Sequence, residues 1–284
     1  MKKPFVIVVV GPTAVGKSEY AVALAKKMKG EIISADSRQI YRGLDIGSGK
    51  ITKKEMENIQ HYMIDVASPK FLYSAHRFKK TASPILKSIL KNGKTPIIVG
   101  GTGFYIDALL DETILPNVPP NKKLRKELSE FDAENLFKIL QKLDEERSMT
   151  IDAKNKVRLV RAIEIATELG KVPKIEKKPL PYEVLWIGLT ADRKLLKEKI
   201  TLRTKKQLTD GMVLEVKKLH EEGVSWKRLN ELGLEQRLCV SYLKSEINAG
   251  ELEKKLIEKV YQYAMCQFTW FKRNQKIGWI EIKK

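Results

Sequence analysis

The chain has 284 residues, of which 43% are hydrophobic, so it can bury a sizeable core as one large domain or two modest ones. This composition excludes wholesale disorder. Its 54 Lys and Arg outnumber 35 Asp and Glu, which gives a formal net charge of +19. A basic excess this large predicts a polyanionic partner, either nucleic acid or an anionic membrane surface.

The remaining composition narrows the class of protein further. No apolar run reaches the roughly 20 residues that a membrane-spanning helix needs. The two cysteines, Cys239 and Cys266, are too few for a disulfide scaffold and lack the spacing and His partners of a zinc site. We therefore expect a protein of the reducing cytoplasm without a membrane partner.

Apolar runs and amphipathic stretches predict the order of the elements. Buried parallel strands are expected at residues 5–10, 31–34, 95–99 and 184–187. Outside the middle of the chain, amphipathic helices are expected at residues 17–28, 75–90, 193–209, 211–222, 235–246 and 252–273. Continuous Val and Ile strands that alternate with helices predict an α/β fold with a covered parallel sheet.

In the middle of the chain the pattern predicts helices and no strands, with the helices at residues 122–130, 133–143 and 154–169. Prolines border this stretch on both sides, at 116, 119 and 120 and again at 173, 179 and 181. Because proline interrupts regular structure, we expect a helical insertion over residues 116–179 between two halves of a core, 1–115 and 180–284.

The strongest motif directly follows the first predicted strand and opens the first helix. It comprises Gly11, Pro12, Thr13, Ala14, Val15, Gly16, Lys17 and Ser18. This is the P-loop pattern, in which backbone amides and the helix N-terminus converge on phosphate groups. Lys17 would add a positive charge on the phosphate oxygens, and Ser18 could ligate Mg²⁺. A di- or triphosphate ligand is predicted, but the motif does not separate kinases, ATPases and other transferases.

Asp36 follows the second strand, in the sequence Asp36-Ser37-Arg38-Gln39-Ile40-Tyr41. Ligands of open α/β sheets bind at the carboxyl ends of the strands, where this carboxylate is expected. It could accept a proton from a nucleophile or hold a metal ion. The alternative interpretation is a helix N-cap, a role that suits Asp and Ser.

The third strand ends in Gly100-Gly101-Thr102-Gly103, where a P-loop NTPase would place a metal-binding Asp. Its absence speaks against an NTP hydrolase. The glycines suggest a backbone that passes close to a ligand, with the Thr102 hydroxyl donating to that ligand. A plain tight turn would also explain them.

These elements together closely resemble the tRNA dimethylallyltransferases, also called tRNA isopentenyl-diphosphate transferases. The motifs that carry the resemblance are Gly11–Ser18, Asp36–Tyr41 as Asp-Ser-x-Gln-x-Tyr, and Gly100–Tyr105 as Gly-Gly-Thr-Gly-x-Tyr. Shorter similar pieces occur in the same order from His61 to Phe271, so the resemblance covers nearly the whole chain.

The resemblance implies a P-loop NTPase-like parallel sheet flanked by helices, with an all-helical insertion that grips the tRNA anticodon stem-loop. It implies transfer of a dimethylallyl group from dimethylallyl diphosphate to N6 of the adenosine at position 37, just 3′ of the anticodon, with release of diphosphate. Mg²⁺ is the implied cofactor, and a monomer is expected.

Site residues follow from the same resemblance, position by position. Asp36 is implied as the catalytic base and Thr102 as a catalytic hydroxyl that helps to hold the diphosphate. The phosphate loop is implied to bind diphosphate, with Ser18 on the metal. The residues implied to bind tRNA are Asp36, Ser37, Arg38, Gln39, Thr102, Arg125, Val157, Arg158, Leu159, Val160 and Arg161.

The chain departs from the family pattern at three places. Val157 stands where the family usually has Gln, and Glu235 stands where a Gly-Tyr-Arg/Lys-Gln-like motif has a basic residue. Near the C-terminus, residues 260–267 lack the basic residues of the family's Thr-Arg…Ala-Lys-Arg-Gln pattern. These changes concern how diphosphate and the anticodon are held.

Three rival functions remain at the level of the sequence. A nucleoside or nucleotide kinase would share the phosphate loop, but the missing strand-end Asp and the charge of +19 speak against it. A prenyltransferase that acts on free adenine nucleotides would need no helical insertion. An RNA-binding protein that has lost its chemistry is compatible with the departures.

Overall fold

The computed structural model describes residues 3–110, 116–174 and 180–283. The strands of these ranges are β1 (Phe5–Val10), β2 (Gly30–Ser34), β3 (His61–Tyr62), β4 (Thr95–Val99), β5 (Glu183–Thr190) and β6 (Gly278–Glu281). The helices before β5 are α1 (Lys17–Met28), α2 (Ala75–Lys91), α3 (Gly103–Leu109), α4 (Lys122–Ser129), α5 (Ala133–Leu143), α6 (Glu145–Ser148) and α7 (Lys156–Leu169). Those after β5 are α8 (Arg193–Thr209), α9 (Met212–Glu221), α10 (Trp226–Leu232), α11 (Leu234–Leu243) and α12 (Ala249–Lys272).

The described strands form one parallel sheet in the order β3-β2-β4-β1-β5-β6. β1 lies inside the sheet, where Val8 pairs with Ile98 of β4 and with Trp186 of β5. A strand buried on both faces needs apolar residues at every position, which explains the uninterrupted run after Phe5. The predicted α/β fold is confirmed.

The two faces of the sheet carry different helices. Ile7, Val9 and Ile97 pack in one core cluster with α1 residues such as Val22. Successive side chains of a strand point to opposite faces, so the intervening residues face the other side. The helix α2 packs there against β2 and β4, burying its stripe of Phe78, Ala82, Leu86 and Ile89. The sheet is thus covered on both sides, and its carboxyl edge remains for a site.

The chain divides into two compact units. The first contains the described residues 3–110 and 180–283, and the second contains the described residues 116–174. The predicted borders at 115/116 and 179/180 adjoin segments 111–115 and 175–179, which lie outside the described residues. The basic segment Lys171–Lys178, a further candidate for RNA contact by its composition, also lies partly outside the described residues. Within the described ranges, no helix combines the length and the apolarity that crossing a membrane would require.

The helical unit has its own small core. Leu136, Leu140 and Leu159 are fully buried and pack against Leu128 and Ile163. Its helices start with side-chain caps, for example Asn121 on the amide of Leu124 and Asn155 on that of Arg158. This unit therefore has the features of an independently packed helical subdomain.

The buried carboxylate of Glu164 connects α4 and α7 of the helical unit through hydrogen bonds. The Arg125 guanidinium donates two bonds of 2.7 Å to Glu164, Arg161 donates a third of 3.1 Å, and the amide of Asn121 donates at 2.8 Å. Burial alone would raise the pKa of Glu164, but these donors outweigh it and hold the pKa below its ordinary value. The carboxylate stays charged because its partners replace water.

We expect Glu164→Gln to destabilise the helical unit by about 3 kcal/mol, since it leaves two guanidinium groups without their anion. The wild-type stabilisation is complete above the ordinary Glu pKa and is lost as pH falls below it. Hydrogen exchange of the α7 amides measures both effects. Glu168→Gln, an exposed position on the same helix, is the matched control and should change little.

Candidate active site

The phosphate loop connects β1 to α1 as the sequence predicts. Gly16 adopts φ 104°, a left-handed conformation that glycine tolerates, immediately before the helix starts at Lys17. A side chain at Gly11 would lie 2.3 Å from the carbonyl oxygen of Leu189 on the neighbouring strand. Val15 is fully buried and anchors the loop from below. The N-terminal amides of α1 are thereby presented at the carboxyl edge of the sheet.

Lys17 lies folded over this loop, where its ammonium donates to the carbonyl of Pro12 at 2.8 Å. Burial lowers the pKa of Lys17 to about 8, an effect that nearby Asp36 opposes and Arg203 reinforces. A half-buried positive charge, which has lost part of its hydration, gains from an incoming anion. This is the electrostatic setting of a phosphate-binding lysine.

Asp36 stands two residues beyond the end of β2. Its Oδ1 accepts the amide of Arg38 at 2.8 Å and that of Gln39 at 3.4 Å. Residues 37–40 form a turn and begin no helix, so the helix-cap alternative is wrong, although Oδ1 does accept turn amides as a cap would. The two amides thus orient the carboxylate through Oδ1, and Oδ2 has no protein partner among the described residues.

The loop and the carboxylate face the same cavity of about 930 Å³. Gly16, Lys17, Ser18 and Asp36 all line it. The volume is within the range of ligand sites for small organic molecules. An anion on the loop and a group delivered to Asp36 would therefore occupy adjoining parts of one pocket.

The glycines after β4 are explained by packing against the protein itself. A Cβ on Gly100 would lie 2.2 Å from the carbonyl oxygen of Ala35, and one on Gly103 would lie 2.1 Å from the indole nitrogen of Trp270. A Cβ on Gly101 would lie 2.1 Å from the carboxamide of Gln267. Packing against the protein explains why glycine stands at these positions, but Gly100 also lines the cavity, so close approach of this backbone to a ligand stays a prediction.

Thr102 joins the two strand-end loops. Its Oγ1 accepts the amide of Ser37 at 3.0 Å and lies 3.3 Å from the Ser37 hydroxyl. The segments that follow β2 and β4 are therefore held side by side at the hydroxyl-bearing residues. Contact between Thr102 and a diphosphate stays a prediction.

Gln267 of α12 holds the phosphate loop against the loop after β4. Its Oε1 accepts the amide of Thr13 at 2.8 Å, and its Nε2 donates to the carbonyl of Gly101 at 3.0 Å. The side chain is buried, and α12 carries it from the far end of the chain. One carboxamide thus fixes the spacing of two loops that border the cavity.

Arg203 was not among the residues singled out from the sequence. It comes from α8 and donates to the carbonyl of Ser48 at 3.2 Å and to Thr13 Oγ1 at 3.4 Å. It lines the same cavity as Lys17. No motif marks it, since α8 is rich in Lys and Arg throughout, and only the fold shows that Arg203 lines the cavity together with Lys199 and Lys206.

The loop between Leu44 and Ile51 forms a wall of the cavity and is fixed by side chains from distant helices. Glu215 accepts the amides of Asp45, Ile46 and Gly47 at 2.6–3.0 Å. Gln207 donates to the carbonyl of Ile46 at 2.6 Å. The wall is consequently rigid without being part of a helix or strand.

Glu235, the acidic departure from the family pattern, lies near the Asp36 motif. A Cβ added at Gly233 would lie 3.1 Å from Arg38 Nε and 3.4 Å from Glu235 Oε2, so both side chains adjoin this glycine. Burial raises the pKa of Glu235, while Arg38 and Arg203 act to lower it. The half-buried acid therefore lies within the electrostatic influence of two cations of the site.

The insertion residues predicted to bind tRNA differ in what they can reach. Val157 and Arg158 are exposed at the start of α7. Arg125 and Arg161 remain partly exposed while they bind Glu164. Leu159 is fully buried in the core of the unit, so the expectation that it contacts tRNA is wrong for its side chain, and Val160 is half-buried.

Among the described residues, the expected Mg²⁺ fits only a site in which the protein supplies few ligands and the substrate phosphates supply others. Among the described residues no group of three His, Cys, Asp or Glu is arranged to hold a metal ion. Mg²⁺ commonly binds through one or two protein oxygens plus substrate phosphates and water. Ser18 is exposed at the mouth of the phosphate loop and lines the cavity with Asp36, which meets that requirement.

A profile of the IPP transferase family matches residues 39–274. The tRNA dimethylallyltransferase 1 of Geotalea uraniireducens is 38% identical over 97% of this chain and 92% of that protein. The chain belongs to the tRNA dimethylallyltransferase family. A relative in Staphylococcus epidermidis, named tRNA dimethylallyltransferase, is 39% identical over 100% of this chain and 89% of that protein.

Solved structures of the family share its fold. The tRNA Δ2-isopentenylpyrophosphate transferase from Staphylococcus epidermidis aligns with a TM-score of 0.72 at 37% identity, covering 98% of this chain and 93% of that one. A eukaryotic dimethylallyltransferase acting on tRNA aligns at 0.82 over 98% of this chain and 74% of that one; at 24% identity this likeness concerns the fold alone. The tRNA dimethylallyltransferase fold is thus present in this chain.

Proposed function

We propose that this protein transfers a dimethylallyl group from dimethylallyl diphosphate to N6 of the adenosine at tRNA position 37, just 3′ of the anticodon. The observation that carries the proposal is that the Asp36 carboxylate and the phosphate loop line one cavity. A donor that binds by its diphosphate and an acceptor that must lose a proton need these two groups side by side.

The phosphate loop serves the leaving group. As the bond between the allylic carbon and its oxygen breaks, the electron pair stays with the diphosphate, whose charge grows. The amides at the start of α1, the ammonium of Lys17 and the guanidinium of Arg203 meet that charge. Because these groups are already in place, little reorganisation accompanies the reaction.

Asp36 serves the acceptor. The exocyclic amine of adenine is a weak nucleophile, so loss of its proton during attack on the allylic carbon lowers the barrier. Oδ1 is occupied by the amides of Arg38 and Gln39, and Oδ2 receives the proton. The products are the N6-prenylated adenosine, diphosphate and a protonated Asp36 that returns its proton to water.

Mg²⁺ is proposed as the cofactor, with Ser18 as the protein ligand beside donor phosphate oxygens. When bound, such a cation neutralises charge on the departing diphosphate. The Gln267 carboxamide keeps the two loops that border this position at a fixed spacing.

The acceptor adenosine must leave the stack of the anticodon loop to reach a cavity, as enzymes that modify bases require. We propose that exposed cations of the insertion, Arg158 among them, bind the anticodon stem-loop through its phosphates. We also propose that the protein acts as a monomer in the cytoplasm, where Cys239 and Cys266 stay free thiols.

One incubation separates this function from its rivals. The protein is mixed with Mg²⁺ and dimethylallyl diphosphate labelled in the prenyl group, and is offered unmodified tRNA, AMP or neither. Label on tRNA at position 37 is expected. Label on AMP would support a free-nucleotide prenyltransferase, and no label in either acceptor would leave the kinase or a non-catalytic RNA-binding protein.

The tRNA affinity should fall steeply with salt. If three or more phosphates are contacted, raising salt from 50 to 200 mM weakens binding by at least about tenfold through loss of counterion release. Filter binding of labelled tRNA at four salt concentrations measures the slope. A flat profile would contradict the RNA assignment while leaving the phosphate-loop chemistry untouched.

A further inference from the structure

An exposed apolar pair stands beside the carboxyl edge of the sheet. The residues Phe71 and Leu72 are 68% and 61% exposed. They precede α2, whose first turn lies at the edge where β2 and β4 end, and the hydroxyl of Tyr105 there donates to the carbonyl of Tyr73 at 2.9 Å. Two large apolar groups are therefore displayed on the catalytic unit at the same edge as Asp36.

The backbone of this pair is held from below by a buried arginine. Arg228 of α10 donates from Nη2 to the carbonyl of Phe71 at 3.0 Å and from Nε to that of Pro69 at 2.9 Å. It also donates to the hydroxyl of Tyr41 at 3.0 Å, which in turn accepts the amide of Tyr73. Ordering an exposed apolar tip this firmly prepares it for contact, because little entropy remains to be lost on binding.

The helix α2 continues from the tip with a basic stripe. Arg77, Lys80, Lys87 and Lys91 fall within one narrow sector of the helix, opposite the buried stripe that includes Phe78. All four are exposed, and none has a carboxylate within ion-pairing distance among the described residues. The stripe extends for about 21 Å, the length of 14 residues of helix.

The chain segment that carries this surface contains no acidic residue of its own. Between Asp65 and Asp107 the chain has no Asp or Glu, although it has seven Lys or Arg. An ordinary solvent-facing helix mixes both signs, and α8 and α9 of this protein do so through ion pairs such as Lys206 with Asp210. The tip and the stripe together match a partner that is polyanionic and presents flat apolar faces.

We propose that Phe71, Leu72 and the basic stripe of α2 form an RNA-contact surface on the catalytic unit, with the tip packing on an unstacked base and the stripe on backbone phosphates. The inference rests on the proposed tRNA acceptor and adds a surface outside the helical insertion. Bases pack on apolar side chains irrespective of sequence, and Lys or Arg rows follow a phosphate backbone. A protein partner would favour an apolar patch larger than two side chains.

The tip is tested by Phe71→Ser with Leu72→Ser, and Leu214→Ser is the control because Leu214 is equally exposed, at 69%, on α9. Filter binding of an unmodified tRNA and steady-state transfer are measured on the same preparations. We expect the tip variant to raise the tRNA Kd and KM by about tenfold, with kcat, the KM for dimethylallyl diphosphate and the salt slope unchanged. The control should match wild type.

The stripe is tested by Lys87→Glu with Lys91→Glu. Lys27→Glu with Lys29→Glu is the matched control, since these exposed lysines end α1 on the opposite face of the sheet and the charge change is equal. We expect the stripe variant to lower the salt slope of log Kd by about 1.5, as loss of two phosphate contacts requires. The control slope should stay as in wild type.

The outcomes distinguish this surface from the proposed function. If wild type binds and modifies tRNA while the tip and stripe variants behave as their controls do, the RNA surface is refuted and the function stands. A tip variant with wild-type tRNA affinity but an altered oligomeric state in sedimentation would assign the tip to a protein contact and also refute the inference. A wild-type protein without tRNA affinity would overturn both.

Discussion

Asp36→Asn should lower kcat for prenyl transfer by about 10²- to 10⁴-fold, the usual contribution of a general base. The amide oxygen of Asn can still accept the amides of Arg38 and Gln39, so the turn at residues 37–40 should persist. The carboxamide is not basic, however, and the N6 proton then has no acceptor at that position. Single-turnover transfer to tRNA, with enzyme in excess, measures the chemical step directly.

Binding should survive this substitution. We expect the Kd for tRNA to stay within about twofold of wild type, because a general base contributes mainly to the transition state. Asp192→Asn is a suitable control, since Asp192 Oδ1 likewise accepts two backbone amides, those of Lys194 at 2.8 Å and Leu195 at 3.0 Å, and Asp192 does not line the cavity. A wild-type rate in Asp36→Asn would remove Asp36 from the mechanism, and loss of tRNA binding would make its role structural.

The buried strands were predictable because their burial leaves a simple mark on the chain. β1 is Phe5–Val10 and β4 is Thr95–Val99, as predicted, since strands covered on both faces must be apolar at every position. β3 and β6 were not predicted. They span only His61–Tyr62 and Gly278–Glu281 at the edges of the sheet, where neither length nor apolarity distinguishes a strand from a loop.

The short helix α3 was missed for a related reason. It begins at Gly103 within a run of glycines that normally indicates a turn. Here the glycines satisfy tertiary contacts, such as that of Gly103 with the indole of Trp270, more than 160 residues later in the chain. A local pattern does not contain such a partner, so local propensity gives the wrong answer.

The residues of the site likewise divide into those that the sequence predicts and those that only the fold shows. The phosphate loop and Asp36 are recognisable because their chemistry requires fixed residue types at fixed spacing after a strand. Arg203 lines the same cavity and Gln267 holds two loops beside it, yet each projects from a long helix whose sequence gives no sign of which side faces inward. Their roles follow from how α8 and α12 pack, which is a property of the whole fold.

Glu235 shows what a departure from a family pattern can mean physically. An acid replaces the base of the motif, yet it lies near Arg38 and Arg203, and burial raises its pKa. Its carboxylate can balance cations that would otherwise repel one another. The site therefore retains a phosphate-binding character despite the exchanged sign.

Lys17→Met should lower kcat/KM for dimethylallyl diphosphate by at least about 100-fold, because it removes a charge that meets the leaving group. The wild-type enzyme should also lose kcat/KM as pH rises through about 8, where the free lysine gives up its proton. The Met variant lacks this group, so its residual kcat/KM should show no such decline. Initial rates between pH 6.5 and 9.5 at low donor concentration measure both.

The folding stability of the ligand-free wild-type protein should rise with pH, whereas its kcat/KM falls. The pKa of Lys17 is about 8 in the fold and 10.5 when unperturbed, so the unfolded chain binds more protons between these values. Holding the charged lysine therefore costs stability in full below pH 8, and the cost fades as pH rises towards 10.5. At pH 7 the ligand-free Met variant should be more stable than wild type by about 2 kcal/mol, allowing for partial solvent access.

Denaturant unfolding of the ligand-free proteins at pH 7 and pH 10 measures this difference, which should shrink at the higher pH. Lys27→Met, an exposed lysine at the other end of α1, should leave both activity and stability close to wild type. If Lys17→Met were as active as wild type, the diphosphate would not lie on this loop. If it were inactive but no more stable, the charge of Lys17 would be better solvated in the empty site than its surroundings indicate.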